Sequence, residues 1–166
     1  MNRIDQSIPL AGLENTLEAT LELLNNTRRS LHFYTPYLEP RVYNHNDVLD
    51  ALRTRVTEQS RLNCFLLLPA ASHWRRSCPH LYRLIEHLSS ALRVRVLPAS
   101  EPRERPEFHQ SFMIADETLL LQHSDPQRLS GRYETQAAYR ARVLLGFFME
   151  IWEKSTADPE LRRLGI

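Results

Sequence analysis

Residues 108–116 read FHQSFMIAD, and His109, Ser111 and Asp116 within them are of types that do chemistry. Side chains alternate along a strand, so an imidazole and a hydroxyl two residues apart project to the same side. That places His109 and Ser111 together with Met113 beyond them, and puts Phe108, Gln110 and Phe112 on the opposite face. A histidine beside a hydroxyl has the make-up of a nucleophile pair. The same residues also read as structure: a strand histidine at a sheet end, held by hydrogen bonds. The apolar run 112–114, then Asp116-Glu117-Thr118, then Leu119-Leu120-Leu121 predicts strand, tight turn, strand, a hairpin over 108–123.

A second set of residues has the chemistry of anion binding. Lys154 is the only lysine among 21 basic residues, and the planar fork of arginine matches phosphate in a way an ammonium does not. The codon bias of a GC-rich genome accounts for the same excess. Arg105, Arg128 and Arg132 flank the hairpin, and Tyr82, Tyr133 and Tyr139 lie among the arginines of the second half. Arginines with aromatic rings can take a phosphate backbone and stacked bases. The binding candidates are therefore Arg105, Arg128, Arg132 and Tyr133. The competing reading is a solvated surface in which Arg103 and Arg105 pair with Glu104 and Glu107. A net charge of +1 argues against a strong global field towards nucleic acid or membrane.

Other chemistries find little support. The four glycines, at 12, 131, 146 and 165, form no phosphate-cradling loop. His73, Cys78 and His80 match no common zinc spacing, and no metal or cofactor is expected. No GxSxG elbow occurs. Cys64 and Cys78 are too few for a disulfide framework, and Cys64 sits in an apolar run, so a reducing cytoplasm is the expected setting. The N-terminus lacks an apolar core of signal-peptide length. The most apolar stretch, 143–149, falls far short of the ~20 residues that a membrane helix needs.

The elements that must position these residues follow from periodicity. Leu13, Leu17, Leu21 and Leu24 make the stripe of an amphipathic helix over 11–29. SLHFYTPY reads as a strand with Leu31, Phe33 and Thr35 on one face and His32 and Tyr34 on the other. A helix is predicted over 47–59, a doubly buried strand at LNCFLLLP, a helix over about 79–91 and a strand at RVRVLP. A polar, proline-rich loop over 99–107 precedes the hairpin, and a long helix over 136–155 follows it. Asp158-Pro159 starts a last short helix. At 166 residues this is one domain, 1–166, with a short flexible N-terminus over 1–10 and a C-terminal tail over 156–166. Alternating helices and buried strands predict an α/β fold with a mostly parallel sheet flanked by helices, closed by the hairpin and the long helix.

With these elements in place, the chain resembles the phospholipase D superfamily over about residues 15–155. That superfamily carries His-x-Lys-x4-Asp on a strand near the end of each α/β half, and here His109, Ser111 and Asp116 give His-x-Ser-x4-Asp. LLNNTRRSLHFYTPYL, a helix and RLNCFLLLP are similar to its opening. The ending, Trp152-Glu153-Lys154-Ser155 and Leu161-Arg162-Arg163-Leu164, is similar to a bacterial domain family found alone or behind a GNAT-type acetyltransferase. The resemblance implies a phospholipase D-like half-domain with His109 as nucleophile, Asp116 as its orienting group and Ser111 as a hydrogen-bond donor. With one motif where the reaction uses two, it also implies a symmetric homodimer that joins two hairpins. An acetyltransferase-related partner is implied as well.

The departures from the superfamily bear on catalysis. Ser111 stands where lysine would meet charge on phosphorus, and loss of one such donor costs about 10²–10³ in rate. LSGRYET does not reproduce the downstream Gly-Ser-x-Asn segment. The expectation is a degenerate domain that binds nucleic acid or another phosphate-bearing ligand, or regulates a partner. The alternative is a dimeric phosphodiesterase acting through His109.

Overall fold

The computed structural model describes residues 7–98 and 104–162. The elements in chain order are β1 (Ser7–Ala11), α1 (Leu13–Asn25), β2 (Ser30–Tyr34), α2 (Pro40–Tyr43), α3 (Asn46–Glu58), β3 (Asn63–Leu68), α4 (Ala71–Trp74), α5 (Pro79–His87) and β4 (Leu92–Val96). A 3-10 turn (Pro106–His109) leads into β5 (Ser111–Ala115), β6 (Leu119–Asp125), β7 (Ser130–Glu134), α6 (Ala138–Lys154) and α7 (Pro159–Arg162).

The strands form one seven-stranded sheet in the order β1-β7-β6-β5-β2-β3-β4. The α/β layering is as expected, but the sheet is mixed rather than mostly parallel. Only β2–β3 and β3–β4 pair in parallel, while β1–β7, β2–β5, β5–β6 and β6–β7 are antiparallel. Helical crossovers return a strand in the same direction, whereas the short turns after β5 and β6 reverse the chain each time. The segment 7–10, expected to be a flexible end, belongs instead to β1, which pairs with β7 over Ser7–Ala11. Residues 1–6 and 163–166 and the loop segment 99–103 lie outside the described residues.

Alternation along the strands feeds two cores. Leu31, Phe33, Leu66, Met113 and Leu121 pack beneath α1, α3 and α5. Tyr34, Leu67, Phe112, Ile114 and Leu120 face the other way, onto Phe147, Phe148 and Ile151 of α6. The apolar stripe of α6 therefore buries against its own sheet, with Phe147 and Phe112 meeting edge to face at 6.2 Å. The start of the tail is docked too, at Thr156 and Asp158. Asp158 is buried and accepts a hydrogen bond from the Ala71 N–H at 2.7 Å, and Val96 bridges Thr156.

The hairpin turn is as tight as the sequence predicts. Asp116 and Glu117 have φ of 53° and 62°, and Thr118 N–H closes onto the Ala115 carbonyl at 3.1 Å. Two positive φ values at the central positions of the Ala115–Thr118 turn match the twist of the strands that it joins.

Candidate functional site

Strand register separates the three motif residues. Phe112 pairs with Tyr34 and Ala115 with Leu31. Antiparallel β5 thus begins where the parallel strands have their carboxyl ends and finishes at their amino ends. The carboxyl ends are where α/β sheets hold ligands. His109 closes the 3-10 turn at that end and is exposed. The strand starts at Ser111, so His109 precedes it in the 3-10 turn rather than lying on the strand. Ser111 is 2% exposed and shares the α1 side of β5 with Met113 and Ala115. It pairs in register with His123, which is 1% exposed and hydrogen-bonded through Nε2 to Thr16 Oγ1 at 3.2 Å. Burial pushes the His123 imidazole down to about 4, so it is neutral at pH 7. Burial likewise lowers His32 to about 4, where it stacks on Phe65 at 4.9 Å between ring centroids.

Asp116 stands at the far end of β5, roughly 16 Å from Ser111 at ~3.3 Å per residue. Its carboxylate accepts hydrogen bonds from the N–H groups of Arg28 (3.0 Å), Arg29 (2.7 Å) and Ser30 (3.1 Å), and its own N–H donates to the Ser30 carbonyl at 2.9 Å. It therefore anchors the α1–β2 connection to the hairpin. The structure thus holds the Asp116 carboxylate on the Arg28–Ser30 backbone, at the opposite end of β5 from Ser111.

The face of the hairpin beneath α6 carries a different arrangement. Gln110, predicted opposite Ser111, accepts a hydrogen bond from Gln122 Nε2 at 2.7 Å. Arg140, from the first turn of α6, donates to Gln122 Oε1 at 2.5 Å and to Glu134 Oε1 at 2.5 Å. Arg132 joins the same Glu134 oxygen at 3.4 Å. Gln110, Gln122 and Arg140 border an open hollow of about 350 Å3 between the 3-10 turn, the hairpin and α6, lined also by Glu107, Tyr139 and Val143. Each tether fixes a long side chain in place, which lowers the entropy lost when it meets a ligand.

The predicted binding residues divide. Arg132 belongs to this network. Arg128 is exposed at the β6–β7 turn, with Asp125 at 3.5 Å. Arg105 is held by Glu150 at 2.9 Å and lies over the Phe147 ring at 4.9 Å, so it braces α6. Tyr133 is corrected: it is 1% exposed in the core beneath α1, because Leu121 and Ile8 pair with it on that face, and it cannot stack on a base. Tyr82 is buried as well, whereas Tyr139 is 79% exposed beside Arg140. Sequence reasoning missed Gln122, Glu134 and Arg140 in the network. Only the unread strand β7 and the crossing of α6 bring them together. It also missed Glu39, buried at the carboxyl end of β2 and paired with Arg41 Nε at 2.8 Å. Among the described residues no three His, Cys, Asp or Glu side chains gather as a metal site, and no helix is long and apolar enough to cross a membrane.

Comparisons with known proteins agree on the architecture. TrmBL2, described as an archaeal chromatin protein with a novel mode of DNA binding, matches with a TM-score of 0.62 at 14% identity, over 93% of this chain and 55% of its own. NucT from Helicobacter pylori matches with a TM-score of 0.65 at 12% identity, over 93% and 98%. Phosphatidylserine synthase from Haemophilus influenzae Rd KW20 matches with a TM-score of 0.59 at 15% identity, over 87% and 36%. The chain spans about half the length of TrmBL2 and a third of the synthase, but nearly all of NucT. The fold is phospholipase D-like. No curated protein matches the sequence. A family model described as a domain of unknown function, DUF7931, matches residues 12–164.

Proposed function

This chain belongs to the DUF7931 family, and on that premise we propose that it is a phospholipase D-like module that binds single-stranded nucleic acid without cleaving it. The observation that carries the reading is the contrast between the two faces of β5. The groups that hydrolysis would use are split between solvent, core and the opposite sheet end. The α6 face instead presents a tethered Arg140 and an exposed Tyr139 at an open hollow, with Arg132 joined to Arg140 through Glu134. Guanidinium groups meet phosphates and an exposed ring stacks on bases of any sequence. The DNA binding described for TrmBL2, which has the same fold, lends support. Two buried, unbridged thiols, Cys64 and Cys78, favour a cytoplasmic setting for this role.

The test is fluorescence anisotropy of a labelled single-stranded oligonucleotide across a salt series. Affinity should fall steeply with salt, and Arg132→Ala with Arg140→Ala should reduce the slope by about one unit for each phosphate no longer neutralised. Tyr139→Ala should weaken binding by ~1–3 kcal/mol, the worth of one stacked base. No binding at low salt defeats the proposal. One observation favours a second reading, a phosphodiesterase acting through His109 in a symmetric dimer: His109 is exposed at the ligand-bearing end of the sheet. Hydrolysis of a generic phosphodiester that disappears in His109→Ala would establish that reading instead.

A further inference from the structure

Exposed apolar side chains gather on α6. Five large ones are exposed among the described residues, and three of them, Tyr139, Val143 and Met149, belong to this helix. At about 3.6 residues per turn, Arg142, Gly146, Met149 and Glu153 fall on one stripe. All four are exposed, and the stripe points away from the side chains that α6 buries, Leu144, Phe148 and Ile151 among them. Gly146 has no reason within its own chain to lack a side chain. A Cβ added there meets nothing within 4 Å, and glycine is a poor residue for a helix interior. Close approach of another backbone is the use that such a glycine has. The ends of the stripe carry opposite charges, Arg142 and Glu153. Neither makes an ion pair among the described residues, and neither has an opposite charge three or four places away along the helix. Glu153 also stands in the last turn, where the macrodipole disfavours an anion.

We propose that this stripe takes a second copy of itself, with two α6 helices lying antiparallel across a two-fold axis that passes midway between Gly146 and Met149. In that register Arg142 of each copy meets Glu153 of the other, and Met149 of each copy seats over Gly146 of the other. The stripe reads cation, gap, knob, anion, and its own reverse is the sequence that fills it. The flexible thioether suits a gap left by a missing side chain. The contact is isologous and closes at two subunits, with both charge matches made at once. Parallel pairing would set Arg142 against Arg142 and Glu153 against Glu153, so the charges select the antiparallel arrangement. An axis through Gly146 would lay glycine on glycine and bring Arg142 to Glu150, which Arg105 already holds at 2.9 Å. Tyr139 falls opposite position 156 of the other copy, past the end of its α6 at Lys154. The hollow beside Arg140 therefore stays open, and dimer formation can be measured apart from nucleic-acid binding.

Sedimentation velocity of the full chain over a concentration series decides it. A monomer–dimer equilibrium is expected. Gly146→Gln fills the gap with a side chain that favours helix, so it should raise the dimer dissociation constant roughly tenfold or more. At a dilution where both proteins are monomers, the same variant should melt no lower than the wild type, which separates a lost contact from a damaged fold. Arg142→Glu and Glu153→Arg change exposed residues, and circular dichroism should show both folded. Each should weaken the dimer by roughly tenfold or more, because each sets like charges together twice. Mixing these two variants should restore a heterodimer, and the double variant a homodimer, since every new glutamate then meets an arginine. A chain that stays monomeric up to about 100 μM overturns the proposal, whatever else the stripe then binds. So does a dimer that survives all three single variants, or a mixture that fails to recover.

Discussion

Replacing the Asp116 carboxylate removes an acceptor that three main-chain N–H groups share. Asp116→Ala should lower unfolding free energy by about 1–3 kcal/mol, the cost of stranding such donors, measured by urea denaturation. His109→Ala, on an exposed turn, should change stability by less than about 0.5 kcal/mol in the same assay. His123 gives a pH signature. Its imidazole is buried neutral, with a folded value of about 4 against an ordinary 6.5. The unfolded chain takes up a proton below pH 6.5 that the folded chain refuses until about pH 4. The stabilisation is thus complete above pH 6.5 and is lost between 6.5 and 4. The loss is at most roughly 3.4 kcal/mol at ~1.36 kcal/mol per pH unit. His123→Gln should flatten stability against pH over that window, and an unchanged slope would contradict the assignment.

Between β6 and β7 the strands approach too closely for any side chain at Gly131. A Cβ there would sit 1.9 Å from the Gln122 carbonyl oxygen and 2.7 Å from the His123 Cα. Gly131→Ala must push the strands apart, with an expected loss of about 1–3 kcal/mol or more in thermal or urea unfolding. It should also weaken ligand binding, because Gln122 belongs to the hollow. Glu117 is the opposite case, a side chain on left-handed backbone that glycine adopts freely. Glu117→Gly should leave stability unchanged or raise it by up to about 1 kcal/mol, and a clear loss would show that the turn is not strained there. The same elements explain what periodicity can detect. α1, α3, α5 and strands β2, β3, β5 and β6 have strong patterns because each buries a full stripe or face, and β4, which buries only Leu92, is marked by the alternation of Leu92, Val94 and Val96 with arginine. β1 and β7 bury only Leu10 and Tyr133, so no alternation marks them, and Pro9 and Gly131 argue against strands.

At the scale of the whole molecule the sheet separates the α6 face from the helical face of α1, α3 and α5. Arg83→Glu, on the helical face, should therefore leave the oligonucleotide salt slope unchanged, while Arg140→Ala, on the α6 face, should reduce it. An equal loss of slope in both variants would contradict a binding surface confined to the α6 face. Sequence alone determined the α/β class, the hairpin and its turn, and the inward faces of β2 and α6, because these depend on side-chain alternation and helical spacing within single segments. Tertiary structure decided the mixed sheet, the burial of Ser111 and Tyr133, the structural duty of Asp116 and the meeting of Gln110, Gln122, Glu134 and Arg140. Those outcomes depend on register between strands far apart in the chain and on where α6 crosses the sheet, neither of which a local pattern encodes.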